Sequence, residues 1–391
     1  MEATGFIARR LRFGGKIAMV SIAISFLIMI ISVAVSSGFR EEIRDGISDL
    51  TGDVQLVPAD MNYINDSSPM STEEEYIADI EKLPEVRKIV PAVYRAGIIK
   101  NGDNIHGVLF KGIPRDKGEA DTVKLAVTIP SRLRDLIGVE PGGKMLSYFI
   151  GENVKVRNFN VTGVYDGIMD GTDNMIVLCD IADLQRLNGW DSDEVSTLEI
   201  GLAPSHRNTP GMREASDKVG MIALESGPED GGRLISTSVM SRYPQIFDWL
   251  DLIDFNVVFI LVLMTIVAGF NMISGLLIML SRNISTIGTL KSLGMTDRSI
   301  AKVFLKVASV IVLKGMAIGN AAAFLLCGIQ YWTRIIKLNP ENYFVSFVPI
   351  HLNIPMIIFA DVISFIVIML LLLIPCLFIS RVDPAQTVRA Q

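Results

Sequence analysis

The stretch "IAMVSIAISFLIMIISVAVSSG", residues 17–38, carries no charged side chain. A helix rises about 1.5 Å per residue, so about 20 apolar residues cross the ~30 Å hydrocarbon layer of a bilayer. Arg9, Arg10, Arg12 and Lys16 precede the stretch, as basic residues also precede a cleaved secretory leader. A leader's apolar segment is only about 7–15 residues long and ends at a small-residue cleavage site. This one is longer and has no A-x-A exit, so it reads as a retained membrane span.

Three further blocks repeat the pattern. Residues 257–280, "VVFILVLMTIVAGFNMISGLLIML", are uncharged; residues 307–327 are interrupted only by Lys314, and residues 354–379 only by Asp361. Backbone polar groups cannot stay unpaired in hydrocarbon, so such blocks cross as helices. The expected fold is an α-helical membrane protein with four transmembrane helices. A large α+β extracytoplasmic domain is inserted between helices 1 and 2. The expected segments are 1–16 (cytoplasmic), 17–38 (helix 1), 39–254 (outer domain, two lobes with helical stalks) and 255–280 (helix 2). They continue with 281–304 (cytoplasmic loop), 305–330 (helix 3), 331–353 (short outer loop), 354–379 (helix 4) and 380–391 (cytoplasmic tail).

Charge orients these segments. Residues 40–250 hold 35 acidic and 22 basic residues, while the remainder holds 7 acidic and 14 basic. Lys and Arg in short loops stay in the cytoplasm. Arg9, Arg10, Arg12 and Lys16, then Arg282, Lys291, Arg298, Lys302 and Lys306, then Arg381 and Arg389 therefore mark the inner side. Both termini are expected inside and the acidic region outside. Cys179 is alone in that region, so it folds on its core without an internal disulfide.

Several motifs invite a catalytic reading. Gly138, Gly143 and Lys144 fit G-x-x-x-x-G-K, but Met145 stands where a phosphate loop needs a hydroxyl for Mg²⁺. The neighbouring "KMLSYFI" and "VKVRNFNVTGVYD" are strand-like, so the motif reads as a hairpin entry with Gly142 and Gly143 at positive φ. Asp166–Asn174 is carboxylate-rich but lacks the spacing and terminal Glu of a calcium loop. His106, His206 and His351 lie at no ligand spacing, so no metal is expected. Lys314 and Asp361, at roughly 15 and 27 Å from the cytoplasmic ends of their helices, are intramembrane charges and so functional candidates. A direct pair and separate outlets to an interface both remain open.

The loop "SRNISTIGTLKSLGMTDRSIAKVF", 281–304, holds the sharpest signal. Ile284, Ile287 and Leu290 recur every three residues, Gly294 ends the run as a helix C-cap, and Thr296 or Asp297 can cap the next helix. This predicts a short amphipathic helix and a tight turn, read either as an interfacial helix or as a docking knob for a partner. Here "TIGTLKSLGMTDRSI" resembles the coupling helix of FtsX/MacB-type ABC permeases. "GFNMISGLLIML", "IPCLFISRVDPAQTVRAQ", "FIARRLRF" and "SGFREEIRD" resemble blocks of the lipoprotein-releasing LolC/LolE type in that family. The outer-domain blocks "VPAVYRAGIIKNGDNIHGVLFKGIPRD" and "LRDLIGVEPGGKMLSYFI" follow the same order. Arg282 and Thr286 depart from it, standing where the family has acidic residues.

The resemblance implies a non-catalytic permease subunit in a bacterial inner membrane, with no cofactor on this chain and ATP and Mg²⁺ on a partner ABC ATPase. A second permease copy or paralogue, lipoprotein cargo, a periplasmic carrier and membrane lipid are the expected partners; nucleic acid is not. ATPase coupling falls to Ile287, Leu290, Lys291, Ser292, Leu293, Gly294, Met295, Thr296 and Asp297. Acyl cargo would touch the outer halves of helices 1 and 2, at Phe26, Met29, Ile30, Val33, Val258, Phe259, Val262 and Met264. "FREEIRDGISDL" and "SRYPQIFDWLDLIDF" read as helical extensions above the membrane. Peptide or drug efflux of MacB type and signalling to wall hydrolases of FtsX type are the alternatives.

Overall fold

The computed structural model describes residues 16–60, 69–101, 104–114, 124–151, 153–167, 175–225 and 233–376. The basic N-terminal residues up to Arg12, most of the Asp166–Asn174 stretch and the closing motif from Leu377 lie outside the described residues. In chain order a long helix, α1 (Lys16–Thr51), precedes β1 (Val54–Pro58), β2 (Met70–Ser71), α2 (Glu75–Glu81), β3 (Val86–Asn101), β4 (Asn104–Ile113) and β5 (Ala126–Pro130). There follow α3 (Ser131–Ile137), β6 (Lys144–Phe149), β7 (Lys155–Tyr165), β8 (Ile176–Asp180), α4 (Ile181–Asn188), β9 (Glu194–Val195), β10 (Thr197–Leu202), α5 (Thr209–Glu225) and β11 (Leu234–Ser238). The chain returns to helix with α6 (Pro244–Arg282), α7 (Ile284–Ser292), α8 (Asp297–Thr333) and α9 (Ile354–Leu371).

Two compact units result. One holds the residues up to Glu41, Trp249–Lys337 and those from Phe347 on; the other holds Glu42–Asp248 and Leu338–Ser346. Leu338–Ser346, within the segment expected as a short outer loop, 331–353, groups with the sheet. α8 starts at Asp297, as the capping signal at Thr296 and Asp297 predicts, within the expected 281–304 segment.

In the helical unit, α1, α6, α8 and the α9 region (Ile354–Cys376) are long and apolar enough to cross a membrane. α1 packs parallel to α8, because Gly315 lies against Met19 and Ile22 while Gly319 lies against Ala23 and Phe26. α6 runs parallel to α9: Thr265 meets Ser364, and Gly269 meets Leu371. Arg40 near the top of α1 contacts Asp251 and Asp254 near the start of α6, so these two pairs run in opposite senses. The 283–296 connection thus lies at the same end as Lys16. One apolar core, with Ile22, Phe26, Met272, Leu276, Phe304 and Val312, fills that end; Ile30, Val33, Val257, Ala323 and Ile357 fill the other.

In the sheet unit the strand order is β11-β1-β10-β3-β4-β8-β5-β7-β6, and β6 also pairs with β3. That last pairing, at Ile98–Tyr148 and Ile99–Ser147, closes β3, β4, β8, β5, β7 and β6 into a six-stranded ring. Closure removes two sheet edges. The interior is held by Phe110, Phe149 and Phe159, whose ring centroids lie 4.9–6.2 Å apart. The sixteen-residue β3 is shared: Val86–Ala92 pair with β10, and Val93–Asn101 with β4.

Candidate functional site

The 283–296 segment is built by local sequence chemistry. α7 ends in a Schellman motif: the Met295 amide donates to Leu290 O (3.0 Å) and the Gly294 amide to Lys291 O (2.9 Å). Gly294 sits at φ +86°, and nothing lies within 4 Å of where a Cβ would stand. The turn therefore selects glycine for its backbone conformation and not for lack of space. Thr296 is the N-cap of α8, its hydroxyl accepting from the Ser299 amide, and Lys291 pairs with Asp297 at 2.9 Å across the turn.

Burial divides the expected coupling residues into two faces. Ile287 is fully buried, and Leu290 and Met295 pack against the helical core, so these three hold the segment to the bundle. Ser292, Leu293, Gly294 and Thr296 are exposed, with Leu293 78% accessible. Ile284, which the sequence reading left out of the site, is also exposed, as are Arg282 and Thr286.

The expected cargo residues also divide. Phe26, Met29, Ile30 and Val33 are buried inside the helical unit, and Met264 packs on its core. Val258, Phe259 and Val262 are more than half exposed on α6. Val258 and Val262 line a groove of about 350 Å³ between α6 and α9.

The intramembrane charges are not joined. Asp361 is buried and accepts a hydrogen bond from Asn320 Nδ2 at 2.6 Å, whereas Lys314 is exposed and makes no ion pair among the described residues. Asn320 lies six positions beyond Lys314 on α8, a partner that spacing on one helix could not reveal. At the opposite end of the unit, Arg40 donates to Asp254 (2.8 Å) and Asp251 (2.5 Å); Ser36 donates to Asp254, and His351 contacts Glu41.

The sheet unit holds a second polar cluster, which no sequence motif marks. Glu199 on β10 accepts from Tyr94 (2.6 Å) on β3 and pairs with Lys111 (2.7 Å) on β4. Lys111 also donates to Leu50 O, and Gln55 donates to Thr51 O, so the last carbonyls of α1 are satisfied by sheet side chains. Burial pushes the Lys111 ammonium below its ordinary value although Glu199 opposes the shift, and burial beside Glu199 raises Tyr94. Arg207 reaches Asp53 (3.0 Å) and Asp49 (3.1 Å) around the same helix end. Burial lowers its pKa, but the hydrogen bond to Asp53 and the neighbouring carboxylates leave it raised.

The G-x-x-x-x-G-K stretch is structural. α3 precedes it, and Gly142 at φ +96° turns the chain into β6. The Gly142 amide donates to Val161 O and the Gly143 amide to Glu140 O, so neither is available to a phosphate. Gly143 is not at positive φ as expected; a Cβ there would meet Val139 at 2.8 Å, and close approach is what it provides. Among the described residues no group of three His, Cys, Asp or Glu is placed to hold a metal.

Among the described residues, four span-length helices, two of them joined by a capped, partly exposed turn, mark the helical unit as a membrane domain. Residues 17–215 match the family model described as MacB-like periplasmic core domain, and residues 258–384 match FtsX-like permease C-terminal. The chain belongs to this family and is an ABC-transporter permease of the FtsX/MacB class, whose permease subunits are not themselves catalytic. It is 21% identical over 98% of its length to the lipoprotein-releasing system transmembrane protein LolC of Xylella fastidiosa, covering 95% of that protein. It is 20% identical over 95% of its length to the lipoprotein-releasing system transmembrane protein LolE of Haemophilus influenzae, covering 93% of it. Among solved structures it resembles the periplasmic region of MacB from Actinobacillus actinomycetemcomitans, at 10% identity and a TM-score of 0.32, over 51% of this chain and 95% of that one.

Proposed function

We propose that this chain is the membrane subunit of an ABC system that extracts lipoproteins from the outer leaflet of a bacterial inner membrane for delivery to the outer membrane. The observation that carries the reading is the near full-length similarity to proteins named LolC and LolE. A separate ATPase subunit would supply hydrolysis of Mg-ATP, and a second permease, identical or paralogous, would complete the membrane part. The exposed face around Ile284, Leu293 and Gly294 would receive the ATPase. The basic flanks support a cytoplasmic position for that turn and both termini, with the acidic sheet unit outside. A periplasmic carrier would take the released cargo.

Mild-detergent purification of the tagged chain with mass spectrometry of what is bound tests this. Recovery of an ABC ATPase with acylated lipoprotein peptides supports both partner and cargo. An ATPase with a cell-wall hydrolase and no lipoprotein would replace extraction by transmembrane signalling. Absence of any ATPase, where known complexes survive, would overturn the coupling assignment.

A further inference from the structure

The groove between α6 and α9 has the length of a hydrocarbon chain within one leaflet. It runs from Met356 to Val367 on α9 and from Val258 to Ile266 on α6. Eleven helical steps at 1.5 Å give about 16 Å, close to half of a ~30 Å hydrocarbon layer. The groove volume is about 350 Å³.

The lining fixes the chemistry. It contains no charged residue, and its two hydroxyls are already engaged: Thr265 donates to Leu261 O at 2.8 Å and lies 2.9 Å from Ser364 Oγ. Ala360 and Ser364 are small, which opens the floor. The groove closes toward the 283–296 end, where Gly269 lets Leu371 approach so closely that a Cβ would stand 2.5 Å from it. Asp361 does not line the groove; it points to Asn320.

We infer that this groove is a binding site for one acyl chain of a bilayer phospholipid, in the leaflet at the Glu41–Trp249 end of the helices. Nothing in the lining selects a headgroup, so the most abundant chain-bearing molecule fills the site by mass action. The inference requires only that α6 and α9 cross a membrane and is independent of the cargo.

The test uses the full-length chain in nanodiscs doped with a phospholipid carrying a diazirine midway along one acyl chain. Adducts are mapped after photolysis by peptide mass spectrometry. They should concentrate on 258–266 and 356–367 over Phe270 and Ile278, exposed apolar residues elsewhere on α6. Ala360→Phe fills the floor and should cut groove adducts about tenfold, equivalent to about 1.4 kcal/mol of lost chain contact, with labelling at Ile278 unchanged. Val262→Phe, on the exposed rim, gives the same readout should the first variant fail to fold. Adducts spread evenly along α6, or undiminished in both variants, would overturn the site. Labelling only by an N-acylated lipopeptide probe, and never by phospholipid, would overturn the phospholipid as its occupant.

Discussion

Single residues decide the close contacts, and glycines show it with opposite signs. At Gly319 an added Cβ would lie 2.4 Å from Ala23 O, a backbone atom that cannot move aside; at Gly328, on the same helix, it would meet nothing within 4 Å. Gly319→Ala should therefore destabilise the detergent-solubilised protein by roughly 1–3 kcal/mol through overpacking. Gly328→Ala should leave it unchanged or stabilise it by about 0.5–1 kcal/mol, the helix preference of alanine over glycine. Thermal unfolding of the two variants side by side checks the pair. Gly294 poses the other case. Its positive φ costs a β-branched residue roughly 1–2 kcal/mol, whereas asparagine tolerates that conformation. Gly294→Val should speed hydrogen exchange of the Met295 amide roughly 5–30-fold, and Gly294→Asn much less. The sequence marked Gly294 because it ended an apolar period. It also carried the four-residue spacing of Gly315 and Gly319, a small-x-x-x-small signal of helix contact in membranes. Only the structure shows which helix fills that gap.

At the scale of elements, α1 and α6 run on past their apolar stretches, α1 to Thr51 and α6 from Pro244, as "FREEIRDGISDL" and "SRYPQIFDWLDLIDF" foretold. Helical period and charge made both extensions readable. The closing of the ring by β3 and β6 was not readable, because no local pattern encodes which strands meet. Nor was the meeting of Tyr94, Lys111 and Glu199, three residues on three strands. Removing one partner of such a buried pair leaves an uncompensated charge and typically costs about 3–5 kcal/mol. Lys111→Met should have that effect on the unfolding free energy of the sheet unit within the full chain. Adding Glu199→Leu should restore much of it, and a double-mutant cycle measures the coupling. In the same unit, half-buried Lys218 on α5 donates to buried Glu85 at 2.5 Å. That hydrogen bond holds the Glu85 carboxyl below its ordinary value of 4.5. A depressed carboxyl contributes stability above its unfolded pKa and loses it as pH falls through the folded one. Glu85→Gln should therefore flatten the loss of stability below about pH 4.5, read from unfolding midpoints across an acid series.

For the whole molecule, charge and hydropathy together predict sides of a membrane. The region 40–250 is strongly acidic and the remainder net basic. Within the helical unit, the 283–296 turn shares an end with Lys16, because α1 and α8 run one way and α6 and α9 the other. That arrangement turns the positive-inside rule into a two-site test. Cys179, Cys327 and Cys376 are all buried, so background labelling by a bulky reagent should be low. Leu293→Cys and Ile105→Cys introduce thiols at two well-exposed positions, one in each unit. A membrane-impermeant maleimide should label Ile105→Cys in spheroplasts and spare Leu293→Cys. In inverted inner-membrane vesicles stripped of peripheral subunits the pattern should reverse. Labelling of both thiols from one side would refute the proposed topology. Labelling of Leu293→Cys in spheroplasts would also remove the ATPase from reach of the turn, since that partner can dock only where its nucleotide is.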